Sequence, residues 1–130
     1  LGVPVIAYGQ DALPAFWSRN AGLPAPLRMD SPADIATSHR MRAALGLPGG
    51  QLVTNPIPEA DEISRDVISP VIEQALVEAA TKGIAAKAVT PFLLDRIFDL
   101  TEGRSLVSNI ALVLNNARLA AAIARALRTI

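Results

Sequence analysis

Two amines, an amide and a run of carboxylates are the side chains of this sequence with most to offer chemistry. Lys82 and Lys87 are the candidate amine nucleophiles. An imine-forming lysine must shed its proton, which takes desolvation or a neighbouring positive charge. Lys87 stands between Ala86 and Ala88 in an apolar segment that reads as strand-like, although most lysines reach back to water. Glu59, Asp61 and Glu62 lie close enough along the chain to offer oxygen ligands to a hard cation such as Mg²⁺ or Mn²⁺. They equally suit the entry to a helix, whose amino end favours acidic groups. Asn109 is the most informative. Ser105, Asn109, Leu112 and Asn116 are spaced by four, three and four, which places them along one stripe of a helix. An amide offers both a donor and an acceptor, and so suits a small ring whose edge alternates carbonyls with N–H groups. The alternative is that Asn109 and Asn116 satisfy the backbone of a packed loop.

Other chemistries are excluded. The sequence has no cysteine and one histidine, so thiolate nucleophiles, disulfides and a transition-metal site of His and Cys are ruled out. His39, between Ser38 and Arg40 in a helix, is expected to be a surface or half-buried packing residue. There is no Gly-rich phosphate loop, no nucleophile elbow and no EF-hand spacing.

Positioning these groups requires the following elements. Val3 to Tyr8 is a continuous apolar run ending at Gly9, the pattern of a strand buried on both faces; Pro4 confines it to a strand start or an edge. Gly22 to Pro26 predicts an extended loop. Ser31-Pro32-Ala33-Asp34 starts a helix to about Leu45, with Ser31 as cap. Gln51 to Thr54 predicts a short strand, stopped by a stiff Asn55-Pro56-Ile57-Pro58 loop. A second helix covers Ser64 to Lys82, its apolar positions Val67, Ile68, Val71, Ile72, Ala75, Leu76 and Ala79 at helical spacing. Pro70 is awkward there, since an interior proline costs about 3 kcal/mol. Thr90 caps a third helix with Pro91 in its first turn. A fourth runs from Ser105 to about Leu127, and Leu106, Ile110, Val113, Leu114, Ala117, Ala120, Ala121 and Ala124 give it a broad apolar face.

The 130 residues are half apolar with few aromatics, so a core of Ala, Leu, Ile and Val is expected. Twelve basic and twelve acidic residues cancel, which argues against a nucleic-acid partner. Arg118, Arg125 and Arg128 read as a solvated face. No apolar run approaches the ~20 residues of a membrane span, so no membrane partner is expected. The chain opens without Met, directly on a buried-strand pattern, and looks cut from something longer. No linker divides it, so residues 1–130 are expected to form the carboxy-terminal portion of a single domain.

Several strings resemble the pseudouridine-5′-phosphate glycosidases, the family that includes indigoidine-synthase-A-like proteins. They are Gly2-Val3-Pro4-Val5-Ile6-Ala7-Tyr8-Gly9, Pro14-Ala15-Phe16-Trp17-Ser18-Arg19, Ala44-Leu45-Gly46-Leu47-Pro48-Gly49-Gly50, Asn55-Pro56-Ile57-Pro58-Glu59, Lys87-Ala88-Val89-Thr90-Pro91-Phe92-Leu93-Leu94, Ser108-Asn109-Ile110-Ala111-Leu112-Val113 and Asn115-Asn116-Ala117. They keep the family's order and span nearly all of the chain. The resemblance implies a helix-rich α/β fold, the carboxy-terminal part of an α/β/α sandwich-like enzyme. It further implies a cytoplasmic, Mn²⁺-dependent homotrimer acting on a small nucleotide. Such an enzyme reversibly cleaves the C–C glycosidic bond of pseudouridine 5′-phosphate to uracil and ribose 5-phosphate. An imine to lysine supplies the electron sink that breaking a C–C bond needs. The family's imine-forming lysine lies upstream of the Val-Pro-Val strand, and its proton donor and metal ligands further upstream, so no catalytic or metal-binding residue is carried over. Asn109 is carried over as a contact to the base, with Asn55 and Thr90 as weaker candidates for shaping the pocket. The isolated chain is expected to be inactive; the alternative is a non-catalytic remnant kept for folding or subunit contact.

Overall fold

The computed structural model describes residues 2–129. Strand β1, Val5–Tyr8, is the middle of a three-stranded parallel sheet in the order β2-β1-β3. Ile6 and Ala7 point to opposite faces and both are fully buried, which is what a strand covered on both sides requires. Pro4 sits just before the strand and contributes only its carbonyl, which accepts the Leu52 N–H at 2.9 Å. β3 is Leu52–Thr54, in the expected place. β2, Leu27–Met29, was not foreseen. The prolines at 24 and 26 read as a loop, and a strand of three residues starting directly after a proline leaves almost no periodic signal. Its partner register, Ile6 to Leu27, follows from β1 rather than from its own composition.

Helix α1, Pro32–Ala44, starts as expected: the Ser31 hydroxyl accepts the Asp34 N–H at 3.1 Å and donates to its carboxylate at 2.7 Å. Helix α2, Arg65–Thr81, runs through Pro70 without breaking. That residue is exposed in the second turn, where water can satisfy the carbonyl it leaves unpaired. Ile68, Ala75 and Ala79 face inward, whereas Val67 and Leu76 are about half exposed.

Helix α3 is Val89–Leu100, and here the expectation of a Thr90 cap is corrected. A 3₁₀ turn at Ala86–Ala88 leads directly into the helix, so Ala88 stands at the cap and Thr90 lies inside the first turn. The same turn corrects the strand-like reading around Lys87, which is exposed. Helix α4, Arg104–Thr129, packs on α1 and touches α3.

The apolar face expected of α4 does not face the core. Ser105, Ser108, Leu112 and Leu119 are buried, while Leu106, Ile110, Val113 and Leu114 are about half exposed. The reason is what lies underneath. α4 crosses loops with free carbonyls, and its polar side chains supply the donors: Ser108 to Asp61 at 2.8 Å and Asn115 to Pro56 at 3.0 Å. By length and composition alone α4 could also cross a membrane, a correction to the reading of the sequence as lacking any such stretch. Away from it, Trp17, Ile63, Ile68, Ala75 and Ile97 form a core cluster flanked by Val71, Ile72 and Leu93.

Candidate functional site

Trp17 anchors the most informative cavity. Its indole N–H donates to the Ser105 carbonyl at 3.2 Å, across a sequence separation of 88 residues. Phe16 meets it edge-on, with ring centroids 4.6 Å apart at 76°. The chain is held there by its neighbours: Ser18 donates to the Ile63 carbonyl at 2.8 Å, and the Arg19 guanidinium to the Ile57 carbonyl at 2.6 Å. On the other wall, Phe98 comes close because residue 103 is a glycine. Gly103 turns from α3 into α4 with φ 82°, and a Cβ there would lie 3.3 Å from the Phe98 ring.

Between these walls lies a cavity of about 220 Å³ lined by Trp17, Leu94, Phe98, Ser105, Leu106 and Asn109. Asn109 is half-buried and is the side-chain amide of this lining. An aromatic floor with one amide at its edge suits a flat heterocycle, the rings gripping its faces and the amide its polar rim. Thr90, exposed on α3, lines a neighbouring cavity of about 240 Å³ that shares Trp17 and Leu94.

Asn55 is elsewhere. Its amide donates to the Asn116 carbonyl oxygen at 3.2 Å, and both line a cavity with Val53, Leu119, Ala120 and Ile123. Asn116 is seven residues beyond Asn109, roughly 10 Å along the helix. The structure thus brings Asn109 and Thr90 to adjoining cavities and separates Asn55 from both. The stripe read from the sequence is present, but two uses divide it. Trp17 and Phe98 were missed as site residues. The only local signal was the Phe16-Trp17 pair in an otherwise aromatic-poor chain, and Phe98 lies 81 residues further on.

The carboxylates at 59–62 take structural parts. The Glu62 side chain accepts the Arg19 backbone N–H at 2.7 Å, and Glu59–Asp61 forms a 3₁₀ turn. Among the described residues no group of three or more His, Cys, Asp or Glu could hold a metal ion. Lys82 closes α2 with its ammonium 5.1 Å above the Phe92 ring, and neither it nor Lys87 is buried. His39 is exposed at the mouth of a shallow cavity near β3. The pKa of Arg28 is raised by Asp30 and Asp11, and Glu78 and Arg96 shift each other in opposite directions.

Known proteins resemble this chain along nearly its whole length. The sequence model of the family described as "Indigoidine synthase A like protein" matches residues 1–126. A pseudouridine-5′-phosphate glycosidase of Jannaschia sp. (strain CCS1) is 69% identical over 129 residues, covering 99% of this chain and 43% of the relative. One of Paracoccus denitrificans (strain Pd 1222) is 72% identical over 129 residues, covering 99% and 42%. Among solved structures, the prealnumycin C-glycosynthase AlnA in complex with ribulose 5-phosphate superposes with a TM-score of 0.87 at 32% identity, over 97% of this chain and 41% of that one. An indigoidine synthase A-like protein of Thermotoga maritima gives 0.81 at 30% identity, over 98% and 41%. The chain therefore spans about two fifths of the length of the curated relatives it matches.

Proposed function

The chain belongs to the indigoidine synthase A-like family, and from that premise we propose that it is the carboxy-terminal portion of a pseudouridine-5′-phosphate glycosidase. The proposed reaction reversibly cleaves the C–C glycosidic bond to give uracil and ribose 5-phosphate. The observation that carries this reading is the 69% identity to a protein of that name along nearly the whole chain. The cavity at Asn109 supports it with the right chemistry. Uracil is a flat ring with alternating carbonyl and N–H groups, and Trp17, Phe98 and the Asn109 amide are the kind of surround it needs. Thr90 and Asn55 are secondary candidates for shaping the substrate pocket.

The division of labour in this reading is between binding and bond cleavage. This chain holds the base, excludes water from its apolar side and orients the glycosidic carbon. The imine-forming lysine and the proton donor come from elsewhere in the complete enzyme. Mn²⁺, the metal that the resemblance implies, does not fit the described residues, because they offer no ligand cluster. A cytoplasmic homotrimer is the proposed working form.

The test is direct. The isolated chain, given pseudouridine 5′-phosphate and Mn²⁺, is expected to release no uracil above background. Grafted in place of the matching stretch of the Jannaschia relative, it is expected to support cleavage. Uracil release by the chain alone, abolished in Lys87→Ala, would make Lys87 the nucleophile and overturn the assignment. A second reading, C–C bond formation or cleavage with another aglycone, is favoured by the likeness to a C-glycosynthase; turnover of other aglycones by the graft in preference to uracil selects it.

A further inference from the structure

The outward face of α4 is the largest feature that the proposed reaction leaves unused. Val107, Ile110, Val113 and Leu114 are 49–62% exposed, and the alanines at 117, 121 and 124 extend the face. Helical spacing puts all of them opposite the buried Ser105, Ser108, Leu112 and Leu119. From Ser105 to Ala124 the only charged residue is Arg118, and Arg125 and Arg128 close the face. An apolar face this continuous marks an interaction surface.

The size of the uncovered area points to the occupant. The chain exposes 8141 Å², whereas a folded monomer of 13.7 kDa exposes roughly 6,600 Å². The surplus, on the order of 1,500 Å², is well above the ~800 Å² that one partner gives to an ordinary interface. A second copy laid along α4 would leave much of it open. The relatives supply a body of the right size, since more than half of their length lies outside the stretch matched here. We propose that the outward face of α4 is the seam against which the rest of the family's architecture packs, through an apolar helix or sheet face. The alanine half lets that backbone approach closely, and the arginines mark where the cover ends. This rests on the reading of the chain as part of a longer enzyme.

The experiment compares one substitution in two settings. Ile110→Lys and Val113→Glu are introduced into the isolated chain and into the full-length graft in the Jannaschia relative. On the open face of the isolated chain each is expected to move Tm by no more than about 2 °C. In the graft each is expected to lower Tm by roughly 5–10 °C, because the seam then buries a charge. Equal small shifts in both settings overturn the proposal. So does self-association of the isolated chain, or its co-sedimentation with phosphatidylcholine–phosphatidylglycerol vesicles, if Ile110→Lys abolishes it. Should the isolated chain fail to fold, side-chain footprinting of the graft decides. Unreactive Val107, Ile110 and Val113 support the seam, and reactivity equal to that of the unfolded graft ends it. Tm is read without substrate, so the two proposals fail separately. A graft that releases no uracil yet melts lower in Ile110→Lys keeps the seam and rejects the reaction; a turning-over graft with unchanged Tm does the reverse.

Discussion

At position 109 the amide faces a cavity between Trp17 and Phe98, whereas the amides of Asn115 and Asn116, on the same helix, are spent on the chain itself. Side chains of the same kind therefore carry different expectations. Asn109→Ala removes a hydrogen-bonding partner from a ligand, at about 1–3 kcal/mol, so kcat/KM of the grafted enzyme for pseudouridine 5′-phosphate is expected to fall roughly 5- to 150-fold. The loss should lie mainly in KM, with Tm almost unmoved. An unchanged KM would remove Asn109 from the site. Asn109 was legible because its stripe is local, set by helical spacing alone. Trp17 and Phe98 were not, because what brings them to one cavity is a hydrogen bond to Ser105 and a glycine turn, neither of which has a sequence period.

Elements differ in how far local chemistry fixes them. The amino end of α1 is fully specified by Ser31, Pro32 and Asp34. Ser31→Ala is expected to cost about 1 kcal/mol, a fall of roughly 3–6 °C in the thermal midpoint followed by circular dichroism. The start of α3 shows the opposite case. Thr90-Pro91 has cap chemistry, yet the preceding residues wind into a 3₁₀ turn and begin the helix earlier. α2 and α3 are clamped by Arg96, whose guanidinium donates to both oxygens of Glu78 at 2.6 and 2.9 Å. That hydrogen bonding, with a further one from Gln74, holds the Glu78 carboxyl below its ordinary value of 4.5. A depressed folded-state pKa adds stability above the ordinary value and loses it as pH falls through the lowered one. Glu78→Gln should therefore melt below the parent at pH 7, the gap narrowing as pH drops under 4.5. A gap independent of pH would show that the ion pair is not its source.

For the molecule as a whole, surface decides more than core does. Among the described residues thirteen apolar ones are buried, and eighteen large ones are left substantially exposed. That balance suits a part of a larger body better than a self-sufficient one. The α/β class, the helix-rich order of elements and the Asn109 stripe were determined by the sequence itself, because strand runs, caps and helical spacing act between neighbours a few residues apart. Three things were left to the tertiary structure: the short strand β2, the partition of the asparagines between two cavities, and the direction in which α4 turns. Periodicity shows that a helix has an apolar side but not what that side meets. Here the carbonyls of the underlying loops demanded donors, and satisfying them turned Ser108 and Asn115 inward and Leu106, Ile110, Val113 and Leu114 out.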